Sequence, residues 1–162
     1  MKRITIIITG LLSAGAVNAQ PYVSASFMGT APEVAAGYSM RWLDLEIGTL
    51  GERQLGAINR INTFEEWTVR GNRLTAKLRA PLAAKVDLLF GASAYGMRYT
   101  HEFTATPTES RKEHTWGASV GVQYRMNERL SVQAEHVYID TPPEAFNLPN
   151  VNAMRIGLSL IF

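Results

Sequence analysis

Residues 116–126 read WGASVGVQYRM. Trp116, Ala118, Val120, Val122, Tyr124 and Met126 share one parity, and Gly117, Ser119, Gly121, Gln123 and Arg125 share the other. Successive side chains of a β-strand point to opposite faces, so this stretch predicts a strand with one apolar face and one small or polar face.

The same period recurs on both sides of it. Leu43, Leu45 and Ile47 oppose Asp44, Glu46 and Gly48, and Leu74, Ala76, Leu78 and Ala80 oppose Thr75, Lys77 and Arg79. In 130–135, Leu130, Val132 and Ala134 oppose Ser131, Gln133 and Glu135. In the closing stretch, Met154, Ile156, Leu158, Leu160 and Phe162 oppose Ala153, Arg155, Gly157, Ser159 and Ile161. The alternation predicts eight strands at 21–28, 33–41, 43–50, 66–80, 86–100, 114–125, 130–140 and 152–162. Segment 86–100 carries apolar residues on both parities, which leaves its register open, and a phase slip near Gly71-Asn72 suggests a bulge. Between the strands, 29–32, Arg41-Trp42, 81–85 and 126–129 read as short turns, and 51–65, 101–113 and 141–151 as longer loops. Pro21, Pro32, Pro81, Pro107, Pro142, Pro143 and Pro149 all fall at predicted strand starts, turns or loops, as expected of a residue that cannot donate to a strand ladder.

The chain opens MKRITIIITGLLSAGAVNAQ, with a basic head, an apolar run and a small-x-small exit at Val17-Asn18-Ala19. This is the form of a secretory signal peptide over 1–19, followed by one domain over 20–162. Taking away 1–19 removes Lys2 and Arg3 and no acid, so the 16 basic residues fall to 14, equal to the 14 acids. The basic balance belongs to the leader, and no case for nucleic acid or another anionic partner survives. Cysteine is absent, which removes thiolate nucleophiles and cysteine metal sites. No later run is long and apolar enough for a membrane-spanning helix.

Exported, antiparallel and eight-stranded, the chain fits either a soluble barrel or one that spans a membrane. The face opposite the apolar one mixes Gly, Ala and Ser with Asp44, Glu46, Lys77, Arg79, Arg125, Glu135 and Arg155. That mixture suits a narrow lumen filled by side chains, where buried charges must pair. If strands pair in order, Glu46 meets Lys77 or Arg79, and Glu135 meets Arg125 or Arg155. Aromatics gather near strand ends: Tyr22, Trp42, Tyr124 and Phe162 toward one rim, Trp67, Tyr99, Trp116 and Tyr138 toward the other. Transmembrane barrels carry such girdles at both interfaces. The final RIGLSLIF resembles the C-terminal signature of bacterial outer-membrane barrels, with Met154, Ile156, Leu158, Leu160 and Phe162 as the strand their assembly machinery reads.

Together with YRMNERLSVQAEHVYID at 124–140, a strand, a tight turn and a second strand, this makes the chain similar to small barrels of the OmpA/OmpX type. The resemblance implies an all-β, eight-stranded, antiparallel up-and-down transmembrane β-barrel with short periplasmic turns and longer outer loops. It implies residence in the outer membrane, contact with its lipid, and insertion by the barrel assembly machinery. The chain departs from full-length OmpA-like proteins in ending at the barrel, so wall anchoring through a peptidoglycan-binding domain is not expected.

Lipid A deacylases of this architecture resemble a His-x-Ser plus Glu arrangement. Here the histidines read His101-Glu-Phe, His114-Thr-Trp and His136-Val-Tyr, none with Ser two residues on. His136 and Glu135 fall on opposite faces. The reading is therefore a monomer without catalysis, cofactor or metal, with a structural or adhesive role and a surface ligand held by outer loops. A lipid-modifying enzyme, a narrow pore and, if the chain is soluble, a lipocalin-like periplasmic carrier are the alternatives.

Overall fold

In a computed structural model, residues 19–60, 63–103, 106–140 and 151–162 are described. The leader expected over 1–19 lies, apart from Ala19, outside the described residues, as does 141–150 of the last expected loop. The described residues form eight strands: β1 Gln20–Met28, β2 Ala31–Ser39, β3 Leu43–Arg60, β4 Thr63–Ala83, β5 Val86–Phe103, β6 Thr106–Arg125, β7 Leu130–Ile139 and β8 Val151–Ile161. Each pairs antiparallel with the next, and β8 closes onto β1 from Tyr22↔Ile161 to Met28↔Arg155. The terminal carboxyl strand therefore has no free edge. The Phe162 amide continues the seam by donating to Pro21 O at 3.0 Å.

Which face points inward is settled by exposure. Ile47 and Leu74 are 65% and 61% exposed, whereas Glu135 and Arg155 are 0% exposed. The barrel is inside-out: its apolar parity makes a continuous outer belt and its polar parity fills the lumen. In β5, Asp87, Leu89, Ser93, Tyr95, Met97 and Tyr99 point in, while Phe90, Ala92 and Ala94 point out, which sets the register the sequence left open.

Strand length divides the barrel into two sectors. β1, β2, β7 and β8 are 9, 9, 10 and 11 residues long; β3 to β6 are 18, 21, 18 and 20. Two expected loops are thereby corrected: 51–60 and 63–65 continue β3 and β4, and 101–103 and 106–113 continue β5 and β6. Their few apolar residues, such as Leu55 and Ile58, fall on both parities, so hydrophobic periodicity could not mark them as strands. Pro32, Pro81 and Pro107 consequently lie inside β2, β4 and β6, close to strand ends. The expected bulge near Gly71 is carried by the partner strand: β3 shifts register between Leu50 and Arg53, opposite Arg70. A second shift follows between Gln54 and Gly56. Bulges of this kind twist the outer edge of β3, which has no neighbour beyond β2.

The connections suit their turns. Gly29 takes φ 64° between β1 and β2, a conformation that costs glycine little. At 126–129, Asn127 Oδ1 accepts from the amides of Arg129 at 2.9 Å and Leu130 at 2.8 Å, fixing the β6–β7 hairpin.

Close approach explains another glycine. A Cβ on Gly121 would overlap the Ala134 carbonyl oxygen and stand 2.7 Å from Glu135 Cα. Gly121→Val should abolish the fast-migrating unboiled form on a detergent gel, while Ala118→Val, on the outer face of the same strand, should retain it.

Candidate functional site

The lumen is built in three layers. At the end that carries the termini, Asp44 pairs with Arg79 and Asp87 with Arg125, both at 3.3 Å. At the opposite end Met28, Leu50, Val69, Met97, Tyr99 and Ile139 belong to an apolar plug. Between them six charged side chains close into a ring of alternating sign: Glu33, Arg73, Glu46, Lys77, Glu135 and Arg155. Arg73 Nε lies 3.3 Å from Glu33, and its Nη1 bonds Glu46. Lys77 Nζ bridges Glu46 at 3.2 Å and Glu135 at 2.8 Å. Arg155 joins Glu135 at 3.5 Å and returns to Glu33 at 2.6 Å. All six are buried, and each touches two partners of opposite charge. Hydroxyls take up remaining carboxylate lone pairs: Tyr22 donates to Glu46 at 2.7 Å, Ser26 to Glu33 at 3.0 Å and Ser119 to Glu135 at 2.8 Å.

Glycine makes this possible. Glu46 is in register with Gly37, Arg73 with Gly48, Lys77 with Gly91 and Glu135 with Gly121. A long side chain can then lie across the neighbouring strand without meeting a Cβ.

Of the seven lumen residues named from sequence, Glu46, Lys77, Glu135 and Arg155 stand in the ring. Asp44 and Arg79 pair with each other below it, so Arg79 does not serve Glu46. Arg125 pairs with Asp87 rather than Glu135, with its side chain 46% exposed at the mouth. Glu33, Arg73 and Asp87 were missed. Arg73 has the parity of Thr75, Lys77 and Arg79, and Glu33 that of Ala35 and Ser39, so carrying each alternation back toward its strand start would have found both.

Trp42, Trp116, Tyr124 and Phe162 are exposed on the outer face, and Tyr138 stands 5.9 Å from Trp116. Three of the expected girdle aromatics are corrected. Tyr22 is buried in the lumen, where its hydroxyl serves Glu46, and Tyr99 is buried in the plug. Trp67 has the inward parity of Val69 and stacks on His101 at 4.9 Å and 3°. A count of aromatics near strand ends ignores parity, and parity decides the face. Phe27, Tyr38 and Phe90 are outer-face aromatics that the count passed over. Met154, Ile156, Leu158 and Leu160 line the outer face of β8, between β7 and β1.

No group of three or more His, Asp or Glu placed to hold a metal occurs among the described residues. His136 is exposed on the outer face, in register with Val120 and Met154, while Glu135 points into the lumen. A cavity of about 10 Å³ below the ring, touching Tyr22, Asp44 and Gln133, has room for a single water. The ring's chemistry is mutual compensation. Removing one member strands its neighbours' charge, at a cost of about 3–5 kcal/mol for a buried pair. Lys77→Met should therefore lower stability by about 3–5 kcal/mol in denaturant titrations of the micelle-bound barrel. Lys77→Met with Glu135→Gln leaves Glu46, Arg73, Glu33 and Arg155 balanced and should recover about half of that loss or more.

Comparison with known proteins places this geometry. Among solved structures, Neisserial surface protein A superposes with a TM-score of 0.66 at 14% identity, covering 89% of this chain and 94% of that one. The N-terminal β-barrel domain of Pseudomonas aeruginosa OprF gives 0.57 at 7% identity, covering 89% and 96%. Ail, the attachment invasion locus protein of Yersinia pestis, in complex with the heparin analogue sucrose octasulfate, gives 0.54 at 10%, covering 89% and 95%. At these identities the likeness is one of fold. No curated protein sequence matches the chain. Residues 10–162 match the outer membrane protein beta-barrel domain family, and with the closed eight-stranded, inside-out barrel this shows that the chain belongs to that family.

Proposed function

We propose that this chain is a closed, membrane-embedded scaffold that presents a binding surface on its projecting hairpins, in a structural or adhesive role without catalysis. The observation that carries the reading is strand length. A spanning strand needs about 9–11 residues. β1, β2, β7 and β8 match that need, while β3 to β6 run to 18–21 residues and stand well beyond it. A four-stranded sheet thus projects from one side of the barrel, on a base stiffened by the ring, as binding segments commonly do on rigid scaffolds. Among the fold neighbours, Ail bears the name of an attachment protein, which agrees with this reading.

The orientation follows. The termini and the turns after β2, β4 and β6 face the periplasm, and the short β1–β2 turn and the long hairpins face outward, with the leader over 1–19 removed on export. The exposed Phe162 and the apolar parity of β8 serve as the contact with the assembly machinery. The plugged lumen argues against a pore, and the separated His136 and Glu135 argue against acid-base chemistry on lipid.

Two measurements test this. Shortening the β3–β4 and β5–β6 hairpins to the length of β1–β2 should abolish adhesion of expressing cells to a ligand-coated surface while leaving the heat-modifiable gel shift intact. Unchanged adhesion would remove the binding role from the hairpins. In planar bilayers the intact chain should show no steady conductance, and a sustained open level would overturn the closed-scaffold reading.

A further inference from the structure

The outer face of the β4–β5–β6 sector changes character row by row along the strands. Leu74, Ala94 and Trp116 are in register and form the last apolar row of the belt. The next row toward the hairpin tips is Asn72, Gly96 and His114, and the one after that is Arg70, Arg98 and Lys112. Three cations thus stand side by side on three adjacent strands, on the outward parity, with Arg70 and Lys112 exposed and Arg98 half-buried.

Like charges directly opposite each other in a sheet repel and destabilise the pairing. No described residue offsets that repulsion: none of the three makes an ion pair or hydrogen bond among the described residues. Glu52 lies in the β3 bulge opposite Arg70 without pairing to it. Glu113, beside Lys112, has the parity of the buried Met97 and forms no ion pair with Lys112. Thr68, Thr100 and Ser110 separate the row from Glu66 and Glu102 nearer the tips.

The row also borders a recess. A cavity of about 560 Å³ opens on the outer face here, lined by Arg70, Arg98, Lys112, Asn72, Gly96 and His114, and Glu113 also reaches its wall. Gly96 provides its floor, where a Cβ would meet the His114 ring in ordinary van der Waals contact at 3.7 Å. The cations stand roughly 10 Å above the apolar row, from four residues at about 3.3 Å each on strands tilted by about 40°.

We infer that Arg70, Arg98 and Lys112 bind the phosphate groups of an outer-leaflet lipid whose acyl chains lie on the belt below. The match is one of chemistry and of depth. Guanidinium groups take phosphate oxygens by paired hydrogen bonds, and an amphiphile alone satisfies an apolar row and a cationic row at this separation. The site lies at the base of the hairpins and does not depend on what their tips hold. Binding there supplies the negative charge that the aligned strands lack, and so ties hairpin order to the membrane.

The test uses the full mature chain, refolded in dodecyl maltoside, with labelled diphosphoryl lipid A as probe and its phosphate-stripped form as comparison. Saturable, salt-sensitive binding of the phosphorylated form is expected. Loss of Arg98 should weaken it by about tenfold or more, as the loss of a charge-assisted contact implies. The Arg70→Gln, Arg98→Gln, Lys112→Gln triple variant should bind no better than the parent binds the stripped lipid. Arg41→Gln, at the opposite end of the barrel, should bind as the parent does. Removing mutual repulsion should not impair folding, so each variant should keep its gel shift and, without lipid, unfold no earlier than the parent. Equal affinity for the two lipids, or an unaffected triple variant, would overturn the inference. So would full competition by inorganic pyrophosphate or heparin, which would make the row a site for soluble polyanions.

Discussion

An eight-stranded barrel encloses a space that side chains must fill, and here six of them form a ring of full charges buried away from bulk solvent. The rest of the architecture follows from satisfying that constraint. Each ring member needs two partners, so the strands must hold one register all the way round. Long side chains need room, and glycines occupy the facing positions for Glu46, Arg73, Lys77 and Glu135. Each carboxylate has spare lone pairs, so Tyr22, Ser26 and Ser119 stand within reach. A paired buried charge adds little net stability over an apolar substitute of the same shape. What the ring supplies is selectivity among registers, since few other alignments leave all six groups paired.

Much of this was legible in the alternation alone. Residues 116–126 predict a strand with an apolar face and a small or polar one, and the described strand has those faces. The eight strands and their inside-out sense follow from repeating that reading and asking which face a narrow lumen would tolerate. What was lost has physical causes. Extensions such as 53–60 and 106–113 carry no period-two separation of apolar from polar residues, so no hydrophobic period marks them, and they read as loops. Glu33 and Arg73 sit near the ends of clear alternating runs, where parity is easily abandoned. Tyr22 and Tyr99 show that an aromatic near a strand end is a girdle residue only if its parity points outward. Pairing across the barrel, such as Lys77 with Glu135, joins residues whose strands are not neighbours, and no local pattern reports it.

The outer surface obeys a different solvent. Along β4 to β6 it passes from Leu74, Ala94 and Trp116 through a row of small or neutral residues to Arg70, Arg98 and Lys112. That order follows the change from hydrocarbon to headgroup to water. The same strands therefore serve as membrane wall at one end and as a projecting sheet at the other, with bulges in β3 where one becomes the other.

The ring draws on β2, β3, β4, β7 and β8. Of these, the β3–β4 hairpin carries Arg73 and Lys77 against Glu46, a surplus of one positive charge, while β7 and β8 bring Glu135 and Arg155 and balance each other. Glu33, alone on β2, offsets that surplus. Each half of the barrel is neutral in total, but the pairing is not local: Lys77 reaches Glu135 and Arg155 reaches Glu33 only when the first strands meet the last. Closure is thus the step that completes the pairing. A strand that slips by one residue turns its charges toward lipid, and one that slips by two leaves them facing the wrong partners. Either mistake leaves an uncompensated charge in the membrane interior, so the correctly zipped seam is the arrangement the chain can settle into.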